Sequence, residues 1–360
     1  MSAHAHFDRR HFLKASILGG AAALAGNVGF PTAQAAEAAP AAAQILASRV
    51  ALTAGNDRAD LAFKGLQPFA KQIAAAIGDK RVIIKPNNVA IDKQLSATHA
   101  ENIEGILEFL KSIGKSGNVI IAESAASGPS LEGFANYGYN PLAAKYGARL
   151  MDLDQEGVEI MHCFDENDFR PHPCRMSRIL LDPNNFIISA AKFKTHDRIV
   201  ATLSLKNIVV GAPVKDPGFT WGKGRKPGTT CDKALTHGGG FRGINYNLYA
   251  LAARLHPHLA VIDGYEGMEG EGPVGGTPVD HKVCVVSPDW LAADRIAVEL
   301  MGIDFAKIGY LNFCAESGMG VADLSKIEIV GPALKDHIKP YKLAKNIDKQ
   351  LVWQQPVKQG

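Results

Sequence analysis

Five short runs, almost wholly apolar and rich in β-branched residues, constrain this chain most: 82–85, 119–122, 186–190, 259–263 and 283–286. A strand with one face in water alternates apolar and polar residues, whereas a strand covered on both faces reads as a near-continuous apolar run. Between the first two runs, over 99–113, Ile103, Ile106, Leu107 and Leu110 recur at helical spacing, with Thr98 and Glu101 in capping-box positions. Strand, helix and strand in so short a stretch predict a parallel βαβ unit. The whole is then an α/β fold, a mostly parallel sheet with helices on both faces, built as one elaborate domain or two intimate lobes. Asp289 is placed to cap a further helix over 290–301.

Ahead of these elements stand Asp8-Arg9-Arg10-His11-Phe12-Leu13-Lys14, a weakly apolar run over 15–30, and small residues around Ala33-Gln34-Ala35-Ala36. That is the order of a charged n-region, an h-region and an A-x-A site. The paired arginines followed by Phe-Leu-Lys resemble a twin-arginine signal, which predicts export of the folded chain by the Tat translocase to the periplasm, with cleavage near Ala35. The expected organisation is a signal peptide over 1–35, an Ala/Pro-rich spacer over 36–48, the α/β body over 49–335 and a peripheral C-terminal extension over 336–360. The h-region is short for a bilayer span and no other segment approaches that length, so no stable membrane span is expected. Without residues 1–35, Lys and Arg fall from 39 to 36 and Asp and Glu from 36 to 35, leaving +1. A body so near neutrality has no electrostatic footprint for nucleic acid.

The five cysteines, Cys163, Cys174, Cys231, Cys284 and Cys314, contain no C-x-x-C spacing, so the chain carries no iron–sulfur cluster motif of its own. An oxidising compartment would permit a Cys163 to Cys174 bridge. The same stretch, with His162 and His172, is an alternative metal chelate. Cys284, between Val283 and Val285, reads as a small buried hydrophobe.

Ligands of open α/β sheets gather at the carboxyl ends of the strands. Four such ends carry polar groups that a core would exclude. The first is Lys85-Pro86-Asn87-Asn88, where a lysine and amides suit an anionic or carbonyl-bearing ligand, or form a solvated turn. The second is Glu123-Ser124, placed to bind a hydroxyl or a metal; it lacks the G-x-S-x-G of a hydrolase elbow. The third is the densest: Lys192, Lys194 and His196, then Thr202, Ser204, Lys206 and Asn207. Lysines crowded by other cations lose proton affinity and serve as bases or nucleophiles, and a histidine can transfer protons. The fourth interleaves Asp263, Glu266 and Glu269 with glycine, which suits a hard cation or ligand hydroxyls, or a mobile acidic loop that pairs with the lysines. The aperiodic stretch 211–243 is long enough to be functional or mobile, and His237 before Gly238-Gly239-Gly240 offers backbone donors at a helix start.

Taken together, Lys85-Pro86-Asn87, Lys194-Thr195-His196, Thr202-Leu203-Ser204-Leu205-Lys206-Asn207 with Gly211, Asp263-Gly264 leading to Glu269-Gly270 and Gly272-Pro273, and Asp294 after Ser287-Pro288-Asp289 resemble the domain-of-unknown-function family 362. The resemblance runs from about 80 to 310 and implies an α/β body whose segments converge on one pocket. Some members add a ferredoxin-type cysteine module, which this chain lacks. The layout is also similar to that of the nickel-pincer lactate racemases, in which a lysine carries a cofactor and histidines act as ligands or acid/base; that likeness is one of fold.

The residues suggest an enzyme acting on a small anionic or carbonyl compound. In this reading Lys194, His196 and Lys206 are catalytic. Lys85, Asn87, Glu123, Lys192, Thr202, Asn207 and His237 bind the ligand, and Asp263, Glu266 and Glu269 hold a metal if one is used; the cofactor's identity is left open. The alternatives are a non-catalytic periplasmic binder or redox partner, and a buried ion-pair network with no ligand at all.

Overall fold

The computed structural model describes residues 48–221 and 225–356, so the signal peptide expected over 1–35, and the spacer up to residue 47, lie outside the described residues. The strands are β1 (Ser48–Ala54), β2 (Arg81–Lys85), β3 (Val119–Glu123), β4 (Arg149–Asp152), β5 (Val158–Asp165), β6 (Arg170–Ser177), β7 (Asn185–His196), β8 (Val200–Thr202), β9 (Leu259–Glu269), β10 (Thr277–Ser287) and β11 (Ile327–Val330). The helices are α1 (Arg58–Leu66), α2 (Ala70–Ile77), α3 (Ala100–Ser112), α4 (Ser130–Asn136), α5 (Tyr139–Tyr146), α6 (Ser204–Val209), α7 (Lys233–Thr236), α8 (Phe241–Ala252), α9 (Trp290–Leu300), α10 (Gly309–Glu316) and α11 (Ile347–Gln350).

The apolar runs do become strands buried on both faces. Ile83, Ile120, Ile187, Ile262 and Val285 enter one core with residues of α6, α8 and α9. Their neighbours Val82, Ile121, Ile188, Val261 and Val286 enter a second core with α1, α2 and α3. Alternate residues of a strand point to opposite faces, so a run without polar interruption requires helices on both sides. Each fully buried Ile or Val contributes about 1.5–3 kcal/mol to that requirement.

One nine-stranded sheet has the order β11-β1-β10-β9-β7-β2-β3-β4, with β8 paired to β7; β5 and β6 form a separate hairpin. Strands β9, β7, β2, β3 and β4 run parallel to one another, while β10 is antiparallel to both β1 and β9 and β8 is antiparallel to β7. The described residues fall in a single compact unit rather than two lobes. The chain moves outward from β2 to β3 and β4, then returns to lay β7 on the other side of β2. That reversal is a topological switch point, where the loops leaving two adjacent strands part and open a crevice.

Several local expectations are corrected. Strand β7 continues through Lys192, Lys194 and His196, because β9 and β8 supply its hydrogen-bond partners beyond the end of β2. The acidic stretch Asp263 to Glu269 is likewise strand, paired with β10, and not a loop. Helix α3 begins after His99, and Thr98 does not cap it: Thr98 Oγ1 accepts from Asn87 N at 2.9 Å and donates to Ala190 O at 2.7 Å, tying the site to β7. Asp289 does cap α9, accepting from Leu291 N and Ala292 N, both at 3.1 Å. Cys163 and Cys174 are buried, free thiols, packed in the core under the β5–β6 hairpin, and Cys284 of β10 is a free thiol buried in the second core. The segment after Pro340 is docked on the body: Tyr341 and Ala344 are buried, and Gln350 Oε1 accepts from Val200 N at 2.6 Å.

Candidate functional site

At the switch point lies a cavity of ≈ 350 Å³, walled by Lys85, Glu123, His196, Lys206, Lys233 and His237, with Val89, Ala90, Val210 and Val274 as its apolar part. Strand β2 delivers Lys85 and β7 delivers His196; the register that pairs Lys85 with Ser189 carries His196 well past the end of β2. Helix α6 brings Lys206 and Asn207, and its first turn is held by Asp294 of α9, whose oxygens accept from Ser204 N at 2.8 Å and Leu205 N at 3.1 Å.

Lys85 and Glu123 form the base of the cavity. Lys85 Nζ donates to Glu123 Oε1 at 2.6 Å, to Pro86 O at 2.9 Å and to Asn207 Oδ1 at 3.1 Å. Glu123 also accepts from Ser124 N and Asn88 N, each at 2.8 Å. Both side chains are almost wholly buried, at 1% and 2% exposure, a burial that a lone charge would not survive. Burial lowers the proton affinity of Lys85 and the Glu123 carboxylate opposes that shift. Glu123 is therefore committed to the protein, and not free for the hydroxyl or metal expected of it. Asn207 is equally committed, with Nδ2 donating to Lys85 O at 3.1 Å and Ser189 Oγ at 3.0 Å. Gly211 permits this arrangement: a Cβ there would lie 2.0 Å from Lys85 Cε and 2.3 Å from Asn207 O.

The two histidines present opposite faces of their chemistry. His196 Nδ1 accepts from Arg198 N at 3.0 Å, so a neutral ring carries its proton on Nε2. His237 Nδ1 lies 2.9 Å from Lys233 O, an acceptor, so its proton is on Nδ1 and Nε2 keeps a lone pair. Burial, then the charge of Lys206, holds His196 well below the usual imidazole range and His237 down at about 4. Both rings are thus neutral near pH 7, one offering a donor and the other an acceptor. Asp197 Oδ1 lies 3.3 Å from His196 Nδ1 but is half exposed, and the Arg198 N–H decides the tautomer.

Burial brings Lys206 and Lys233 down to about 8. Lys233 Nζ donates to Gly211 O at 3.1 Å and Pro213 O at 2.7 Å. It was not singled out in the sequence: the length of 211–243 marks the stretch, but no pattern within it marks the residue. Asp294 interrupts the apolar surface of its helix and belongs to the family resemblance, but its role is invisible in sequence because it depends on a helix remote in the chain.

Other expected site residues lie elsewhere. Lys194 does not line the cavity; its Nζ is buried beneath it, donating to Asn87 Oδ1 and, at 2.7 Å, to Ser96 O. Burial, then the charges of Lys192 and Lys206, holds it well below the usual lysine range, and its place beside Asn87 makes it a positioning group for that amide. Lys192, Thr202, Asp263, Glu266 and Glu269 also stand outside the cavity wall. Lys192 Nζ lies 3.7 Å and His99 Nε2 3.6 Å from Glu266 Oε2, while Arg58 Nε lies 3.3 Å from Asp263 Oδ2. Glu269 accepts from Lys342 N at 2.9 Å. Each carboxylate expected to hold a metal thus has its own cation or backbone donor. Among the described residues, no three His, Cys, Asp or Glu side chains are grouped to hold a metal ion, those of the β5–β6 hairpin included. No described helix is long and apolar enough to cross a membrane.

The chain is 24% identical over 233 residues to a thylakoid-associated protein of Synechocystis sp., a match covering 63% of this chain and 65% of that relative, just under two thirds of its length. A crystal structure of a Thermotoga maritima protein, 14% identical, aligns over 69% of this chain and 60% of that one with a TM-score of 0.38. The model of the domain of unknown function DUF362 matches residues 82–299, which hold the switch point, both histidines and all the cavity lysines, and the chain belongs to that family.

Proposed function

We propose that this chain is an exported enzyme that moves protons on a small anionic or carbonyl-bearing compound held at the switch-point cavity. The observation that carries the reading is the pair of neutral histidines locked in opposite tautomers on the wall of one cavity. A base with a free lone pair and a neutral donor that holds developing negative charge are what proton abstraction beside a carbonyl uses, and each ring is in the right form for its part at working pH. Around them Lys85, Lys206 and Lys233 outnumber Glu123, so the cavity favours an anion.

A panel of small carboxylates and phosphates, read by thermal shift, identifies the ligand. His196→Gln and His237→Gln are then expected to keep most of the ligand's affinity while turnover falls about 100-fold or more. Affinity and turnover falling in proportion would replace the enzyme with a binding protein.

Export rests on Arg9 and Arg10, the A-x-A site near Ala35, and the order of regions around them. Replacing both arginines by lysine is expected to leave the uncleaved precursor in the cytoplasm, as fractionation and immunoblotting would report. Unchanged periplasmic recovery of the cleaved chain would refute the twin-arginine assignment.

A further inference from the structure

Three lysines line the cavity, and two of them are occupied. Lys85 Nζ is bound by Glu123, Pro86 O and Asn207, and Lys233 Nζ by backbone carbonyls that include Gly211 O and Pro213 O. Lys206 differs: among the described residues its Nζ has neither an ion-pair partner nor a hydrogen-bond acceptor, although the residue is only 6% exposed. The side chain stands on α6, whose first turn Asp294 fixes. It is close enough to His196 and His237 for its charge to depress both rings. Lys85 and Lys233 add positive charge around it, with Asp197 as the opposing carboxylate. An amine in a small cationic cavity, with no carboxylate bound to it, is built to react rather than to pair.

We propose that Lys206 forms an imine with a small aldehyde or 2-oxo acid that carries a carboxylate. The inference rests on the anion-binding reading above and assigns its covalent step. The Lys206 nitrogen pair attacks the carbonyl carbon, a C–N bond forms, and the C=O π pair moves to oxygen, where the neutral His196 Nε2–H holds the developing charge by a hydrogen bond. His237 Nε2 takes one proton from nitrogen and passes it to that oxygen, giving the carbinolamine. The second nitrogen proton follows the same route to the hydroxyl, which leaves as water as C=N forms, so that both rings end as they began and amine and carbonyl become imine and water without any change of oxidation state. Lys85 and Lys233 stay with their own acceptors and supply the positive potential that draws the carboxylate, and burial brings Lys206 to about 8, which leaves roughly a tenth of it unprotonated at pH 7.

The probe is glyoxylate, the smallest anionic aldehyde, with cyanoborohydride to reduce any imine, applied to the whole folded protein at pH 7 and followed by peptide mapping. Lys342, whose side chain is 83% exposed, is the internal reference. Lys206 is expected to be carboxymethylated roughly tenfold faster than Lys342 or more, with a rate that saturates in glyoxylate and is suppressed by oxalate, an anion without the aldehyde. Lys206→Arg keeps the charge and should abolish the fast label; circular dichroism checks that it is folded. Labelling of Lys206 no faster than Lys342 overturns the imine. If glyoxylate and oxalate then still raise the melting temperature, the anion-binding reading survives alone; if neither does, both fall together.

Discussion

Lys85→Met is expected to lower the unfolding free energy by about 3–5 kcal/mol, because it leaves the Glu123 carboxylate buried without its cation. The two groups meet at 2.6 Å and are 1% and 2% exposed, so neither solvent nor salt can substitute for the missing partner. Ser124 N and Asn88 N would still donate to Glu123, but two neutral donors do not replace an ammonium. Adding Glu123→Gln to Lys85→Met should recover a large part of the loss, since the double variant buries no charge. Chemical denaturation of the four proteins of this cycle measures the coupling. Additive losses, or a Lys85→Met cost below about 1 kcal/mol, would mean that the pair is hydrated and worth no more than a surface ion pair.

Asp294→Ala should cost about 3 kcal/mol or more, since it orphans Ser204 N and Leu205 N, and each buried donor without an acceptor costs about 1–3 kcal/mol. It also unfastens the six-residue helix that carries Lys206 and Asn207, so the fast labelling of Lys206 should fall with it. The charge state adds a pH signature. Burial, partly offset by the two backbone donors, raises the Asp294 carboxyl to about 7. Its folded value thus stands above the ordinary carboxyl range near 4, so the proton favours folding. That contribution is whole below about pH 4 and fades as pH rises through 7. Asp294→Asn has no such titration, and its stability relative to the wild type should climb between pH 5 and 8. Parallel melting curves across that window would show Asp294 to be ionised throughout, held so by its two N–H donors.

The candidate site was legible in residue types more than in roles. Lys85, Asn87, Glu123, His196, Lys206, Asn207 and His237 do converge on one cavity. Glu123, however, reads as a free carboxylate until Lys85 is seen against it, and Lys194 as a reactive amine until Asn87 and Ser96 are seen to enclose it. The carboxylates Asp263, Glu266 and Glu269 suit a cation in sequence, yet Arg58, Lys192 and Lys342 already meet them. A charged side chain is assigned by its nearest opposite charge, and here that charge comes from another element.

What the sequence by itself determined is the two-sided burial of the sheet. Runs such as Val82-Ile83-Ile84 and Val119-Ile120-Ile121 leave no polar face, and any fold they adopt must cover both sides. That is a local property, written in the alternation of side chains along a strand. The strand order was a tertiary decision. Nothing near Lys85 states that β7 will return beside β2 and overrun it as far as His196, because loop closure and sheet pairing act between segments far apart in the chain. The switch point, and with it the cavity, exists only once that return is made.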